Sequence, residues 1–172
     1  MSDPKITRIE IHEYKWTLPE MGRDYNGFNL IYEPGAKAQM TGYVMQMFTD
    51  VGIVGEFAGG GRAEYSTLPQ FWHFLKGRSA LERENINSEV KRALRQVARI
   101  GIAPIDIALW DIAGKLYNQP IHKLLGGHKT ALPCYASTYH GDHQPDGLST
   151  PEAFADYAEA SLQIGYPAFK IH

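Results

Sequence analysis

The chain is short of several things that would narrow its role at once. It has a single cysteine, Cys134, so no disulfide can form within it. A reducing compartment is the simplest setting for such a chain, and the cytoplasm is the expectation. In the apolar run LPCYAST, Cys134 is expected to be a core residue rather than a reactive thiol. No apolar run approaches the ~20 residues of a membrane-spanning helix, and Met1-Ser2-Asp3-Pro4 opens no secretory signal. Charge of one sign is also scarce. The net charge is −2 with both signs interspersed, so neither nucleic acid nor a membrane surface is an expected partner. Lys91, Arg92, Arg95 and Arg99 read as the solvated face of a helix. The glycine run Ala58-Gly59-Gly60-Gly61-Arg62 lacks the Gly-Lys-Ser/Thr ending of a phosphate loop. It reads as a flexible turn, with a loop over an active site as the alternative.

What the chain does have is a strongly patterned stretch from Ile102 to Gly127. Ile102, Ile105, Leu109, Ile112 and Leu116 recur at spacings of three and four, the stripe of a helix with one buried face. Asp106 and Asp111 fall off that stripe, and Ala103, Ala108, Ala113 and Gly114 permit close approach of a neighbour. Asn118-Gln119 ends the helix before Pro120, which has no N–H with which to continue it. A helix this apolar is expected to be an internal joint between two layers.

Ahead of it, Lys5 to Trp16 alternates as a strand, and Thr41 to Phe57 reads as two strands turning near Asp50-Val51-Gly52. Tyr43, Met45 and Met47 share one face, and the three strands are expected to form an antiparallel sheet. Between them Leu18 to Gln39 carries Pro19, Gly22, Gly27, Pro34 and Gly35, a density that predicts a long loop. Its aromatics, Tyr25 among them, suggest a lid. A short helix is expected over Thr67 to Leu75, and a longer one from Leu81 to Arg99 with Val90, Leu94 and Val97 inward. Residues 1–127 therefore read as an α+β domain.

From residue 131 the pattern changes. Leu132 to Thr138 is a short apolar strand, and Tyr139 to Leu148 a polar loop. Thr150-Pro151-Glu152 opens a helix with a hydroxyl cap, a proline in the first turn and an acid near the positive end. Phe154, Tyr157, Ala158 and Leu162 form its expected buried stripe, Gly165 stops it, and Ala168 to His172 begins another strand. Strand, helix and strand make one βαβ unit over 131–172. A parallel pair needs neighbours and cover on both faces, and a (β/α)8 barrel takes ~250 residues. The chain is therefore expected to be part of a longer polypeptide, or to receive its remaining strands from another one.

The run ALWDIAGKLYNQPIHKLLGG resembles the linker between the capping domain and the barrel of the enolase superfamily, in its mandelate racemase / muconate lactonizing branch. The resemblance extends along the whole chain. It implies an α+β capping domain of three antiparallel strands and helices, followed by the first βαβ unit of an incomplete (β/α)8-type barrel. Catalytic groups of such barrels sit at the C-terminal ends of strands, where this chain reads Lys170-Ile171-His172. Residues two apart on a strand point the same way, and two neighbouring nitrogen bases disfavour each other's protonation. On spacing alone an exposed strand end is the plainer account. The branch carries a Lys-x-Lys pair here, so Lys170 takes the first position and His172 departs from the pattern at the second. Which of the two is the base stays open.

The implied reaction starts with removal of the proton α to a carboxylate, with Mg²⁺ stabilising the enediolate. The branch's metal ligands are carboxylates on the third, fourth and fifth barrel strands, so no metal ligand is expected in these residues. The loops around Tyr25 and around Gly59 to Arg62 correspond to the segments that close over the barrel mouth. Arg23 and Arg62 are candidates for a substrate carboxylate. Tyr139 and His140 are candidate substrate contacts, and a metal at His140, Asp142 and His143 is the weaker alternative, since structural sites usually take four spaced ligands. A sugar-acid or hydroxy-acid dehydratase is expected first, then a racemase or epimerase, then a cycloisomerase. The other classes are a non-catalytic cap or oligomerisation partner, and one piece of a split enzyme. A small-molecule carboxylate and further copies of the chain are the expected partners.

Overall fold

A computed structural model describes residues 3–138 and 148–172. The chain falls into two compact units. One comprises 1–14 and 41–128, the other 15–40 and 129–172.

The first unit is built on a three-stranded sheet in the order β1-β2-β3, with β1 at Ile6–Arg23, β2 at Leu30–Thr49 and β3 at Val54–Ala58. β2 and β3 run antiparallel, with Met45 opposite Phe57 and Met47 opposite Gly55. The turn between them is closed by Thr49, whose N–H and hydroxyl both donate to the carbonyl of Ile53. Alternation places Tyr43, Met45 and Met47 inward, as expected, with both methionines fully buried. They meet Leu75, Ile86, Val90, Leu94, Ile105, Leu109 and Ile112 from the helices in a single core.

Helix α1 (Arg62–Ser66) follows β3, then a 3₁₀ turn at Leu68–Gln70 and a short α2 (Trp72–Leu75). α3 (Arg83–Ala93) is shorter than its sequence predicts. A 3₁₀ turn over Arg95–Val97 replaces its last turn, and Ala98 and Arg99 both adopt left-handed backbone conformations. Leu94 is the last residue of the apolar repeat to be buried, and Val97 is substantially exposed. Without a buried position beyond Leu94, packing no longer favours continuing the helix there.

The patterned stretch is α4, Ile102–Tyr117. Ile105, Leu109 and Ile112 are buried, joined by Pro104, Ala108 and Ala113, while Ile102 and Leu116 sit at the edge. Asn118 caps it in a left-handed conformation, and the N–H of Gln119 returns to the carbonyl of Gly114. The two aspartates off the stripe are both engaged. Asn87 donates to Asp106, and Asp111 accepts the backbone N–H of Glu56 at 2.8 Å. α5 (Ile121–Leu124) ends this unit's helices.

The second unit corrects the expected long loop. Residues 18–23 and 30–39 are strand, so the hairpin runs on to a short tip at 24–29. Cross-strand contacts keep one antiparallel course: Gln39 Nε2 donates to Thr17 Oγ1 at 2.8 Å, and the N–H of Gly35 to Glu20 Oε2 at 2.5 Å. A two-stranded ribbon has a solvent edge on each strand, where prolines such as Pro19 and Pro34 forfeit no ladder bond that a third strand would need. Glu20 and Gly35 both take positive φ, and that local irregularity absorbs what the composition suggests would abolish the strands.

The rest of this unit is β4 (Ala136–Ser137), α6 (Pro151–Gln163) and β5 (Phe169–Lys170), a βαβ unit with β4 parallel to β5. Thr150 Oγ1 accepts the N–H of Ala153 and caps α6. Its buried stripe is shifted from the expected one. Phe154 and Ala158 are half-buried and Ser161 is buried, but Leu162 is exposed and Tyr157 leans on Phe169 with ring centroids 5.8 Å apart. Cys134 is exposed rather than buried. Two paired residues per strand form too narrow a sheet to cover a full helix face or the strand's flanks.

Candidate functional site

The C-terminal end of β5 brings the two predicted bases together with a residue that the sequence pattern did not single out. In the parallel ladder Ala136 pairs with Phe169 and Ser137 with Lys170, held by the N–H of Ala136 donating to the carbonyl of Ala168 at 3.0 Å. Paired residues of adjacent strands share a face, and so do residues two apart on one strand. Ser137 and Lys170 therefore share one face of the pair, and His172, just past the end of β5, meets the serine. Ser137 Oγ lies 3.2 Å from His172 Nε2. Lys170 and His172 are both exposed. The sequence offered only a weak pointer to Ser137, a small hydroxyl residue in the strand before the one that carries Lys-x-His, and its pairing with Lys170 needs the register.

Arg23 and Tyr25 belong to the same compact unit, at the tip of the hairpin. Asp24 organises that tip. Its carboxylate takes the N–H of Phe28 and the Asn29 amide, at 2.9 and 2.7 Å, and its carbonyl takes the N–H of Gly27. Burial pushes the Asp24 carboxyl up, but the hydrogen bonds from Asn29, Phe28 and Gly27 outweigh it and hold it below its ordinary value. Arg23 donates one bond to the carbonyl of Phe28, which leaves most of its five donors uncommitted by that contact. Tyr25 is 97% exposed. A substrate-facing lid residue fits that exposure, and so does a plain solvated tip.

Arg62 belongs to the other unit and is exposed in the first turn of α1. There hydrogen bonds hold both ends of the glycine run. Tyr65 donates to the carbonyl of Gly59, Gly59 donates to that of Tyr43, and Glu64 accepts the N–H of Gly61. The hydrogen bond from Tyr43 to Glu13 pushes the phenol up, with burial and the Glu13 charge adding to it and Arg62 opposing. Tyr139, His140, Asp142 and His143 lie outside the described residues.

Among the described residues no three His, Cys, Asp or Glu side chains come together to hold a metal ion. Also among them, no helix is long and apolar enough to cross a membrane.

The N-terminal domain pattern of mandelate racemase / muconate lactonizing enzyme matches residues 37–126, just over half of the chain. The chain belongs to that family. The match covers the base of β2, β3 and the helices through α5. An N-succinyl-L-Arg/Lys racemase of Bacillus cereus is 31% identical over 97% of this chain and 44% of its own length. An L-talarate/galactarate dehydratase of Salmonella typhimurium is 32% identical over 57% of this chain and 26% of its own. The solved structure of D-glucarate dehydratase from Agrobacterium tumefaciens, complexed with magnesium, superposes with a TM-score of 0.82 at 28% identity, covering 99% of this chain and 45% of that one. The chain thus spans less than half the length of these relatives. Its α+β unit is the capping domain of the family, and its βαβ unit corresponds to the start of an enolase-superfamily barrel. The described residues bring together no set of carboxylate or imidazole side chains that would by itself hold a magnesium ion.

Proposed function

We propose that this chain contributes the proton-transfer pair Lys170 and His172 to an enzyme that removes the proton α to a carboxylate, and that the net reaction is dehydration of a sugar acid or related hydroxy acid. The carrying observation is the Lys-x-His at the end of β5, with Lys170 on the same face as Ser137 and His172 meeting that serine, in a chain of this family. In a dehydration the base takes the α-proton, the β-hydroxyl leaves with a proton as water, and the resulting enol becomes a 2-keto acid. Arg23, Arg62, Tyr25, Tyr139 and His140 are the residues proposed to meet the substrate, the two arginines at its carboxylate. Mg²⁺, held by residues outside this chain, belongs to this proposal and supplies positive charge against the substrate carboxylate. The activity is proposed for the assembly that completes the barrel, in the cytoplasm and as a homo-oligomer.

Racemisation is the second reading, favoured by the likeness to the N-succinyl amino-acid racemase over nearly the whole chain. Both begin with the same proton removal. Incubation with candidate sugar acids and N-succinyl amino acids in deuterated water separates them. A dehydratase yields a 2-keto acid, whereas a racemase yields only deuterium at the α-carbon with loss of optical purity. Neither deuterium nor keto acid from any carboxylate would contradict both.

A further inference from the structure

The contact between Ser137 and His172 is built by the ladder rather than by chance of two surface side chains. Ser137 is paired in register with Lys170, and the N–H of Thr138 reaches the carbonyl of Lys170 at 3.4 Å. That register brings the serine alongside the residue two places beyond its partner, with Oγ 3.2 Å from Nε2 of the imidazole. A hydroxyl suits this place for a chemical reason. When Nε2 is bare, the serine O–H can donate to it; when Nε2 carries a proton, Oγ can accept it. The contact therefore survives both states of a histidine that gains and loses a proton, so the ring need not swing between them. A carbonyl or an ammonium in the same place would match only one state. The carbonyl of Thr138, 3.5 Å from Ser137 Oγ, offers the hydroxyl proton somewhere to go when Nε2 is protonated.

We propose that Ser137 is a positioning residue for His172: its hydroxyl holds the Nε2 edge of the ring and fixes the direction of the imidazole beside Lys170. This rests on His172 taking part in proton transfer, but the hold on the ring can be read without any activity. The test pairs Ser137→Thr, which keeps the hydroxyl, with Ser137→Val, which keeps the shape without it. Both branched residues suit a strand. With the protein labelled at its histidine ring nitrogens, the Nε2 resonance of His172 is expected to be alike in wild type and S137T and shifted in S137V. An unchanged Nε2 resonance in S137V would overturn the proposal. In the α-proton exchange assay, S137V is expected to lower kcat about tenfold with KM unchanged, and S137T to restore it. A raised KM with kcat intact would instead make Ser137 a substrate contact and overturn the positioning role. If His172→Asn left exchange at the wild-type rate while S137V still shifted the ring, the role of His172 in catalysis would fall and the hydrogen bond would stand.

Discussion

At Gly55 the sheet and the linker helix approach closely. A Cβ there would lie 2.3 Å from the carbonyl oxygen of Ala108 and 2.7 Å from Ile112 Cγ1. The first of these is helix backbone, which cannot rotate aside. Gly55→Ala is expected to cost about 2–3 kcal/mol in urea denaturation, as overpacking does in a tight core. Gly22 makes a milder case: its Cβ would meet mainly the carboxylate end of Glu33, which can swing away, and Glu33 Cβ at 3.0 Å, which must give slightly, so Gly22→Ala should cost only about 1 kcal/mol. The pair also shows what sequence can and cannot disclose. A glycine inside a strand signals close approach of something, yet its neighbour is set by the fold.

The same contact is locked by charge. Lys115 reaches Asp111 Oδ2 at 2.8 Å, Glu56 Oε2 at 2.9 Å and the carbonyl of Val54 at 2.7 Å. Hydrogen bonds from Lys115 and then Gln46, with the lysine's charge, hold the Glu56 carboxyl below its ordinary 4.5. Burial pulls Lys115 down, but Asp111 and Glu56 outweigh it and leave the amine raised. A depressed acid contributes stability that is present above its unfolded value and lost as pH falls through the folded one. Lys115→Met should therefore lose less stability than the wild type between about pH 7 and pH 3, because Glu56 then keeps only the part of its depression that Gln46 supplies. An identical acid loss in both proteins would contradict this.

At the scale of elements, α4 was the most legible, since its stripe, its stop at Asn118 and its burial all follow from periodicity and one proline. The hairpin was the least legible. Its prolines and glycines outweighed strand alternation in the sequence, but cross-strand partners such as Gln39 to Thr17 are non-local and leave no local signature. α3 shows the reverse fault: its polar, helix-favouring residues run on past Leu94, but its buried positions do not. α6 was read correctly at its start and not at its face. Its cap gives a clean check. Thr150→Ala should lower stability by about 1 kcal/mol and speed amide exchange in the first turn of α6, while Thr150→Ser should not. Unaltered exchange in that turn would mean that Pro151 alone sets the helix start.

For the whole molecule, family membership was legible because a long ordered run around α4 is hard to match by accident, and the family's pattern covers that helix. The site was legible only in part. On spacing alone Lys170 and His172 read as an exposed strand end, and only the family resemblance points to them as the proposed bases, whereas Ser137 needs the parallel register to be known. The tie between Arg23 and the carbonyl of Phe28 depends on the tip's backbone course and could not be anticipated either. Cys134 reads as core by composition and lies exposed, because burial belongs to the neighbours a residue receives and not to its type.

The central claim is that Lys170 and His172 move the α-proton. Deuterium incorporation at the α-carbon of a carboxylate substrate, followed in the barrel-completing assembly with Mg²⁺ present, tests it most directly. Lys170→Ala and His172→Asn are each predicted to slow incorporation by about 10²-fold or more, the usual worth of a positioned acid or base. Incorporation at the wild-type rate in both variants would contradict the account.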